Sequence, residues 1–155
     1  MIEKIAKILT ENNLTVATTE SCTGGLLSSA FTDVSGSSAF IHLNFVTYSN
    51  EAKEKILGVK HETLEKYGAV SEQTAKEMAE GLNRVTRADI CISTTGIAGP
   101  TGGTDEKPVG LMYNGIFING KCNIFKIVLP PQIPRTEMKK LFVEKVLQNL
   151  YGLIN

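Results

Sequence analysis

The sequence predicts a layered α/β/α domain built around a mixed β-sheet. Segments with the alternating pattern of strands are interleaved with segments that have helical periodicity. Asn119-Gly120 joins two strand-like segments, and this dipeptide favours a tight antiparallel hairpin. At 155 residues the chain has the length of one domain with a substantial core. We therefore expect a single domain over residues 1–155, whose sheet is not purely parallel.

The first part of the chain is predicted to contain a helix, a strand, a polar turn, a second helix and a second strand. Apolar residues at helical spacing end at Asn12-Asn13, and TVATT (15–19) has the β-branched composition of a strand. The polar turn ESCTGG (20–25) leads into LLSSAF, which is compatible with a helix. Residues 38–47 alternate and predict a strand, with one face formed by Ala39, Ile41, Leu43 and Phe45.

The middle of the chain is predicted to be helical up to a third strand. Asn50 is a suitable cap for a short helix that ends at Gly58. Ser71 is a suitable cap for a longer helix, and residues 89–95 (DICISTT) have the composition of a buried strand. The apolar face of the longer helix is predicted to comprise Ala75, Met78, Ala79, Leu82 and Val85.

The last part of the chain begins with a loop rich in glycine and proline, GIAGPTGGTDEKP, which follows residue 95. Residues 109–118 and 121–129 are the strands of the predicted hairpin. Pro134 can open a final helix at its first turn. The core-facing residues of that helix are predicted to be Met138, Leu141, Phe142, Val146 and Leu150.

Composition narrows the classes of function. Sixteen basic and sixteen acidic residues balance, so no global charge attracts nucleic acid or an anionic membrane. The sequence has neither a signal-peptide pattern nor an apolar run long enough to span a bilayer. Cys22, Cys91 and Cys122 form no CxxC pair, which indicates free thiols and a cytoplasmic location. His42 and His61 lack metal-ligand spacing, so we expect no metal site.

Ser21 is the first candidate catalytic residue. It lies where a predicted strand passes into a helix, and Gly24 and Gly25 follow closely. A turn of this kind can present a hydroxyl group at the sheet edge and direct backbone amides at an oxyanion. The alternative is that Ser21 or Thr23 only caps the helix, which is the commoner role of a serine or threonine there. Cys22 is a competing nucleophile, although free cysteines are usually buried and inert.

Lys53 and Tyr48 form the second candidate group. With Asn50 as cap, Lys53 falls in the first turn of the helix, where the helix dipole disfavours a charged amine. A serine nucleophile without a histidine needs another base, and a desolvated lysine can serve. Tyr48 could relay a proton or fix the lysine. The alternative is a solvated lysine on an amphipathic helix.

The glycine-rich loop, residues 96–110, is a candidate anion site. Its backbone amides could hold a phosphate, but its sequence matches neither a Walker A motif nor a Rossmann fingerprint. An ordered connection between strands is an equally good explanation. Arg135 could add a charged fork for a phosphate, although isolated arginines are mostly solvated. The residues alone thus leave a serine–lysine site and an anion-binding loop as two candidates within an α/β domain.

Five segments together resemble the CinA C-terminal domain family, and the resemblance covers nearly the whole chain. The segments are ESCTGGLL (20–27), TDVSGSSAF (32–40), FVTYSNEAK (45–53), GAVSEQTAKEMAEG (68–81) and TGIAGPTGGTDEKPVG (95–110). Free-standing members of the family include nicotinamide mononucleotide deamidase, and this chain resembles that form, without the larger N-terminal domain of full-length CinA proteins. Many relatives carry a GDR-type sequence where this chain has Gln132-Ile133-Pro134-Arg135.

The resemblance implies hydrolysis of the carboxamide of nicotinamide mononucleotide to nicotinate mononucleotide and ammonia. It implies Ser21 as nucleophile and Tyr48 and Lys53 as its activating partners. Residues assigned to the substrate, or to the oxyanion formed from it, are Thr23, Gly24, Gly25, Thr95, Gly96 and Arg135. No metal or organic cofactor is required. The expected partner is a small nucleotide, and a homodimer or higher homo-oligomer is expected from the resemblance.

Two other functions remain open at this point. The chain could be a nucleotide-binding regulatory module without catalysis, of the type associated with competence. It could also be an amidase for another small amide that uses the same serine and lysine. The presence of Ser21, Tyr48 and Lys53 together favours an enzyme over a pure binding module.

Overall fold

Five strands form one sheet in the computed structural model, which describes residues 1–155, and the strand order is β2-β1-β3-β4-β5. The strands are β1 (Val16–Glu20), β2 (Ile41–Val46), β3 (Ile90–Gly96), β4 (Leu111–Ile118) and β5 (Lys121–Val128). The helices are α1 (Ile2–Glu11), α2 (Leu26–Thr32), α3 (Asn50–Leu57), α4 (His61–Tyr67), α5 (Glu72–Thr86) and α6 (Arg135–Ile154).

The sheet is mixed, as predicted. β1 is the second strand in this order and runs parallel to both of its neighbours, β2 and β3. β4 runs antiparallel to its two neighbours, β3 and β5. Asn119 and Gly120 connect β4 to β5 with φ values of 53° and 74°. Both residues of a type I′ turn need positive φ, which asparagine and glycine adopt most readily, so the predicted hairpin is confirmed.

Helices cover both faces of the sheet, which confirms the α/β/α layering. The larger apolar core lies on the face covered by α1, α2 and α6, and it includes Ile5, Phe31, Ile92 and Phe142. The smaller core lies on the opposite face under α3, α4 and α5, and it includes Ala17, Leu57, Met78 and Cys91. Successive strand residues such as Ile90, Cys91 and Ile92 alternate between the two cores, because side chains in a strand point to opposite faces.

Two local predictions were wrong. The predicted strand over residues 38–47 is shorter, because Ser37–Ala39 form a 3₁₀ turn before β2. The predicted common face of this strand is also wrong, because a register shift in β2 places Ile41 in the larger core and Phe45 against the smaller one, and Leu43 is 46% exposed. Ser49, not Asn50, caps α3: its Oγ accepts the amide of Ala52 at 3.0 Å. Ser49 has the extended backbone of a cap, whereas Asn50 is the first helical residue.

The other helix predictions agree with the structure in most respects. Ser71 caps α5 by accepting the amide of Thr74 at 3.1 Å, and Gly58 ends α3 with a φ of 70°. Val85 is the exception on the apolar face of α5, because it lies near the end of the helix and is 48% exposed. Every helix is too short or too polar to span a lipid bilayer.

Candidate active site

The candidate site lies where three strands end. Ser21 follows β1, Thr47 and Tyr48 follow β2, and Thr95 and Gly96 close β3. Because these three strands are parallel, their carboxyl ends meet at the same edge of the sheet. A cavity of about 420 Å³ opens there, within the usual size range of small-molecule sites. Its lining includes Ser21, Cys22, Tyr48, Val70, Thr95, Gly96, Ala98, Thr101, Gly102 and Arg135.

Ser21 and Lys53 are in direct contact, although 32 positions separate them in the chain. Lys53 Nζ lies 3.0 Å from Ser21 Oγ. The same Nζ donates to two main-chain carbonyls, Thr47 O at 2.8 Å and Tyr48 O at 3.0 Å. Two acceptors therefore fix two of the amine's hydrogen atoms. The remaining tetrahedral position of the nitrogen faces Ser21.

The surroundings of Lys53 favour the neutral amine. Its side chain is completely buried, and no carboxylate lies within ion-pair distance of it. Burial lowers the pKa of Lys53 from 10.5 to about 8, because the charged form loses its hydration. A neutral amine has a lone pair in place of one hydrogen. With the other two hydrogens held by carbonyls, that lone pair points at the hydroxyl of Ser21.

Tyr48 contributes to this pair through its backbone, which corrects the predicted role of its side chain. Its carbonyl accepts from Lys53, and Ser21 Oγ can donate to the same carbonyl at 3.4 Å. The phenol extends instead along the cavity, where its hydroxyl accepts from Arg135 Nη2 at 3.3 Å. β2 ends at Val46, and beyond this point the Tyr48 carbonyl faces the buried Lys53 amine while the ring faces the cavity and Arg135. The ring is 61% exposed.

The predicted roles of Thr23, Gly24 and Gly25 in substrate binding also need correction. The amide of Gly24 donates to Ser21 O at 3.1 Å, and that of Gly25 donates to Glu20 Oε1 at 3.2 Å. Thr23 is fully buried, and none of the three lines the cavity. The amides of Cys22 and Thr23 donate to no other atom of the protein. Of these two residues only Cys22 lines the cavity, so its amide is the one that remains available beside Ser21.

Glu20 is the residue of this site that sequence reasoning missed. Its side chain is completely buried and accepts five hydrogen bonds from the residues that follow it. The donors are Thr23 Oγ1 at 2.7 Å, the amides of Gly25 (3.2 Å), Leu27 (2.8 Å) and Ser28 (2.9 Å), and Ser28 Oγ at 2.6 Å. The available signal was a glutamate that ends a buried β-branched strand and precedes a turn of serine, threonine and glycine.

Cys22 packs behind the turn, as expected for an inert thiol. It is 6% exposed and belongs to the larger apolar core. Burial raises the pKa of its thiol to about 12, so the nucleophilic thiolate is scarce near neutral pH. Although Cys22 lines the cavity, Lys53 contacts Ser21 and not the thiol.

Thr95 and Gly96 form one wall of the cavity. The hydroxyl of Thr95 donates to Ala69 O at 2.7 Å and so ties the end of β3 to the segment before α5. Gly96 leaves no room for a side chain: a Cβ there would lie 2.7 Å from Leu111 O. The wall is therefore closely packed, and both residues line the cavity.

The glycine-rich loop and Arg135 lie on the same side of the cavity. The amides of Ala98, Thr101 and Gly102, all cavity residues, donate to no protein acceptor. Arg135, the first residue of α6, donates through Nη1 to Gly99 O at 2.7 Å. The guanidinium thus bridges the loop to the hydroxyl of Tyr48. No cluster of three or more His, Cys, Asp or Glu side chains that could hold a metal ion occurs in the chain.

Comparison with known proteins places the chain in a family. Residues 1–154 match the family described as the CinA C-terminal domain. The chain is 59% identical over 129 residues to a protein of Thermoanaerobacter pseudethanolicus described as competence-damage inducible, and 54% identical over 127 residues to a CinA-like protein of Kosmotoga olearia. These matches cover 83% and 82% of the chain. The chain spans only 31% of the length of each of these two relatives.

Solved structures agree with the sequence matches. The competence/damage inducible protein CihA from Agrobacterium tumefaciens superposes with a TM-score of 0.95 at 43% identity, covering 99% of this chain and 93% of that one. A CinA superfamily protein from Escherichia coli superposes with a TM-score of 0.93 at 35% identity, covering 98% and 87% of the two chains. The chain therefore belongs to the CinA C-terminal domain family.

Proposed function

We propose that this protein hydrolyses the carboxamide of nicotinamide mononucleotide, with Ser21 as nucleophile and Lys53 as general base. The observation that carries the proposal is the contact between Ser21 Oγ and a buried Lys53 Nζ whose pKa is lowered to about 8 by burial. Strongly perturbed titratable groups in a cavity are typical of catalytic sites. A module that only binds nucleotides has no need of a buried amine that lacks a carboxylate partner and contacts a serine hydroxyl.

The first half of the reaction forms an acyl-enzyme and releases ammonia. The neutral Lys53 amine takes the proton of Ser21 as Oγ forms a bond to the carboxamide carbon, and the carbonyl electron pair moves to oxygen. When that pair returns, the C–N bond breaks and the leaving nitrogen receives the proton from Lys53. The positively charged pyridinium ring withdraws electrons from the carboxamide carbon and so favours the attack.

The oxyanion of the tetrahedral intermediate needs hydrogen-bond donors close to Ser21. The amide of Cys22 donates to no other atom of the protein, and Cys22 lines the cavity. We assign this amide to the oxyanion, in place of those of Thr23, Gly24 and Gly25. One donor of this kind contributes on the order of 100-fold or more to kcat in comparable sites.

The second half of the reaction returns the enzyme to its starting state. A water molecule loses a proton to Lys53 as its oxygen bonds to the acyl carbon. The C–O bond to Ser21 then breaks, and Oγ recovers the proton from Lys53. The products are nicotinate mononucleotide and ammonia, and Ser21, Lys53 and water supply every proton transfer.

The far side of the cavity fits the phosphate of a nucleotide. The free amides of Ala98, Thr101 and Gly102 and the guanidinium of Arg135 provide donors of the kind that bind phosphate. The carboxamide would then lie against Ser21, with the ribose between the two ends. This arrangement favours the nucleotide over free nicotinamide.

An assay of ammonia release tests the proposal. Purified protein is supplied with nicotinamide mononucleotide, nicotinamide riboside or nicotinamide, and ammonia and the carboxylate product are both quantified. We expect the nucleotide to be the best substrate, and Ser21→Ala to lower its kcat/KM at least about 1,000-fold. Unchanged activity in Ser21→Ala rejects the nucleophile. Ammonia from another small amide, but not from the nucleotide, identifies an amidase with a different substrate.

A further inference from the structure

The hydrogen bonds of Glu20 connect it to both members of the Ser21–Lys53 pair. Its carboxylate binds the residues immediately after Ser21, at Thr23, Gly25, Leu27 and Ser28. Its main-chain carbonyl accepts the amide of Thr47 at 2.9 Å. Thr47 in turn offers the carbonyl that holds Lys53 Nζ. One residue thus fixes the turn that carries the nucleophile and the strand end that orients the base.

The carboxylate does not take part in the chemistry directly. Glu20 is completely buried and does not line the cavity. Three of its five donors are backbone amides at the start of α2, and these amides can only donate. No lysine or arginine lies within ion-pair distance, so hydrogen bonds and the positive end of α2 stabilise its charge.

The same hydrogen bonds decide which amides are available to a substrate. Gly24 and Gly25 have φ values of 58° and 105°, which bend the chain so that the Gly25 amide turns toward Glu20. Without an internal acceptor, the amides of Gly25, Leu27 and Ser28 would be unsatisfied, and an unsatisfied buried donor is costly. Glu20 takes all three, which leaves the amide of Cys22 as the free donor of the turn that belongs to a cavity residue.

We infer that Glu20 is a positioning residue, which sets the geometry of Ser21 and of the free amide of Cys22 through the five hydrogen bonds of its buried carboxylate. The inference rests on the proposed function only in taking Ser21 as the nucleophile. Glu20→Gln is the sharpest change, because it keeps the shape of the side chain. It also replaces one acceptor oxygen by an NH₂ group, which faces N–H and O–H donors.

The test measures the nucleophile both with and without the proposed substrate. A fluorophosphonate reacts with an activated serine by forming an O–P bond and expelling fluoride, and the mass of the protein records the adduct. We expect Glu20→Gln to lower the rate of this reaction and the kcat for ammonia release by about 100-fold each, as for a small displacement of a reacting group. KM should change little, and the pH inflection near 8 should persist, since Glu20 does not contact Lys53.

Glu77→Gln is the matched control. Glu77 also accepts a backbone amide and a hydroxyl, from Lys60 and Thr63. It lies on α5, where its side chain contacts the start of α4, away from the cavity. The Glu77→Gln variant should have a lower melting temperature but unchanged rates of adduct formation and of ammonia release. If Glu20→Gln does the same, its role is only structural and the inference is overturned. If Glu20→Gln does not fold, Ser28→Ala removes one donor and should still lower both rates by about threefold to tenfold; unchanged rates in that variant also overturn the inference.

The two readouts separate this inference from the choice of substrate. Wild-type protein that forms the phosphonyl adduct but releases no ammonia from the nucleotide rejects the proposed substrate. The effect of Glu20→Gln on adduct formation then still decides the role of Glu20. Wild-type protein that forms no adduct at Ser21 rejects the nucleophile and the positioning role together.

Discussion

The nucleophile turn (residues 20–25) and the glycine-rich loop (residues 96–110) line the same cavity but are held in different ways. Internal hydrogen bonds fix the turn, because the Glu20 carboxylate accepts the amides of Gly25, Leu27 and Ser28. The loop has few internal bonds along its cavity side, where the amides of Ala98, Thr101 and Gly102 remain free. Chemistry needs fixed atoms, whereas recognition of a charged ligand needs unused donors. Under the proposed function, the turn is the reacting part of the cavity and the loop is the binding part.

Lys53→Met is the change on the reacting side with the largest expected effect. Methionine keeps most of the volume of the buried chain but removes the base, so kcat/KM for ammonia release should fall at least about 1,000-fold. Steady-state kinetics measure the fall, and circular dichroism verifies that the protein is folded. Lys55→Met, on the exposed side of the same helix, is the control and should retain activity. A loss of less than tenfold in Lys53→Met contradicts the assignment of the base.

The pH dependence of catalysis should follow the ionisation of Lys53. Because the neutral amine is the base, kcat/KM should rise about tenfold per pH unit below the pKa and level off above about 8. His61 also has a shifted pKa, raised by its hydrogen bond to Glu54, but it is exposed and lies outside the cavity. His61→Gln should therefore leave the profile unchanged. A profile that is flat between pH 6 and 9 contradicts a lysine base.

The free energy of unfolding should also increase with pH. The pKa of Lys53 is about 8 in the folded protein and 10.5 without burial, so the unfolded chain binds more protons between these values. The free energy of unfolding should therefore rise through this interval as pH increases. Lys53→Met should remove that part of the rise. Urea denaturation at pH 7.5 and 10 compares the two proteins.

Arg135→Ala tests the binding side and should have a smaller effect. It removes a charge-assisted contact to the phosphate, so kcat/KM for nicotinamide mononucleotide should fall about tenfold or more. The riboside, which lacks the phosphate, should be nearly unaffected. Lys140→Ala, an exposed change on the same helix, controls for net charge. Equal losses on both substrates would assign Arg135 to holding Tyr48 and Gly99 instead.

Cys22→Ala should have the smallest effect. With the thiol buried and its pKa near 12, activity should stay within about twofold of wild type. The lost packing should lower the free energy of unfolding by about 1 kcal/mol. Kinetics and urea denaturation of the variant measure both quantities. Near-complete loss of activity in a folded Cys22→Ala protein would make the thiol the nucleophile.

Local patterns in the sequence were sufficient for most of the fold. Strand composition, helix periodicity, the Ser71 cap and the Asn119-Gly120 turn act within a few residues, and the structure agrees with them. The strand over residues 38–47 was over-extended because its alternation includes residues of the 3₁₀ turn Ser37–Ala39, and that alternation also does not reveal that β2 lies at the edge of the sheet. Edge position depends on which strands pair, and a local pattern contains no information about pairing.

The site was predictable in its residue types and less so in its contacts. The pairing of Ser21 with Lys53 follows from two strand ends that meet, which the sequence suggested. The inward carbonyl of Tyr48 and the amides taken by Glu20 depend on backbone orientation, which residue identity does not determine. Glu20 was missed because a buried carboxylate without a cationic partner is rare, and its position at the end of a buried strand does not show that its side chain turns inward.

The position of β1 in the strand order also explains why the cavity exists. The chain leaves β1 through α2 on one face of the sheet, and it leaves the neighbouring β2 through α3, α4 and α5 on the other face. Connections that diverge to opposite faces open a crevice at the carboxyl ends of the strands, a topological switch point at which α/β proteins commonly bind ligands. The crevice arises from chain winding rather than from any one side chain. The glycine-rich loop at its rim is therefore a segment in which substrate preference can change while the sheet beneath it stays intact.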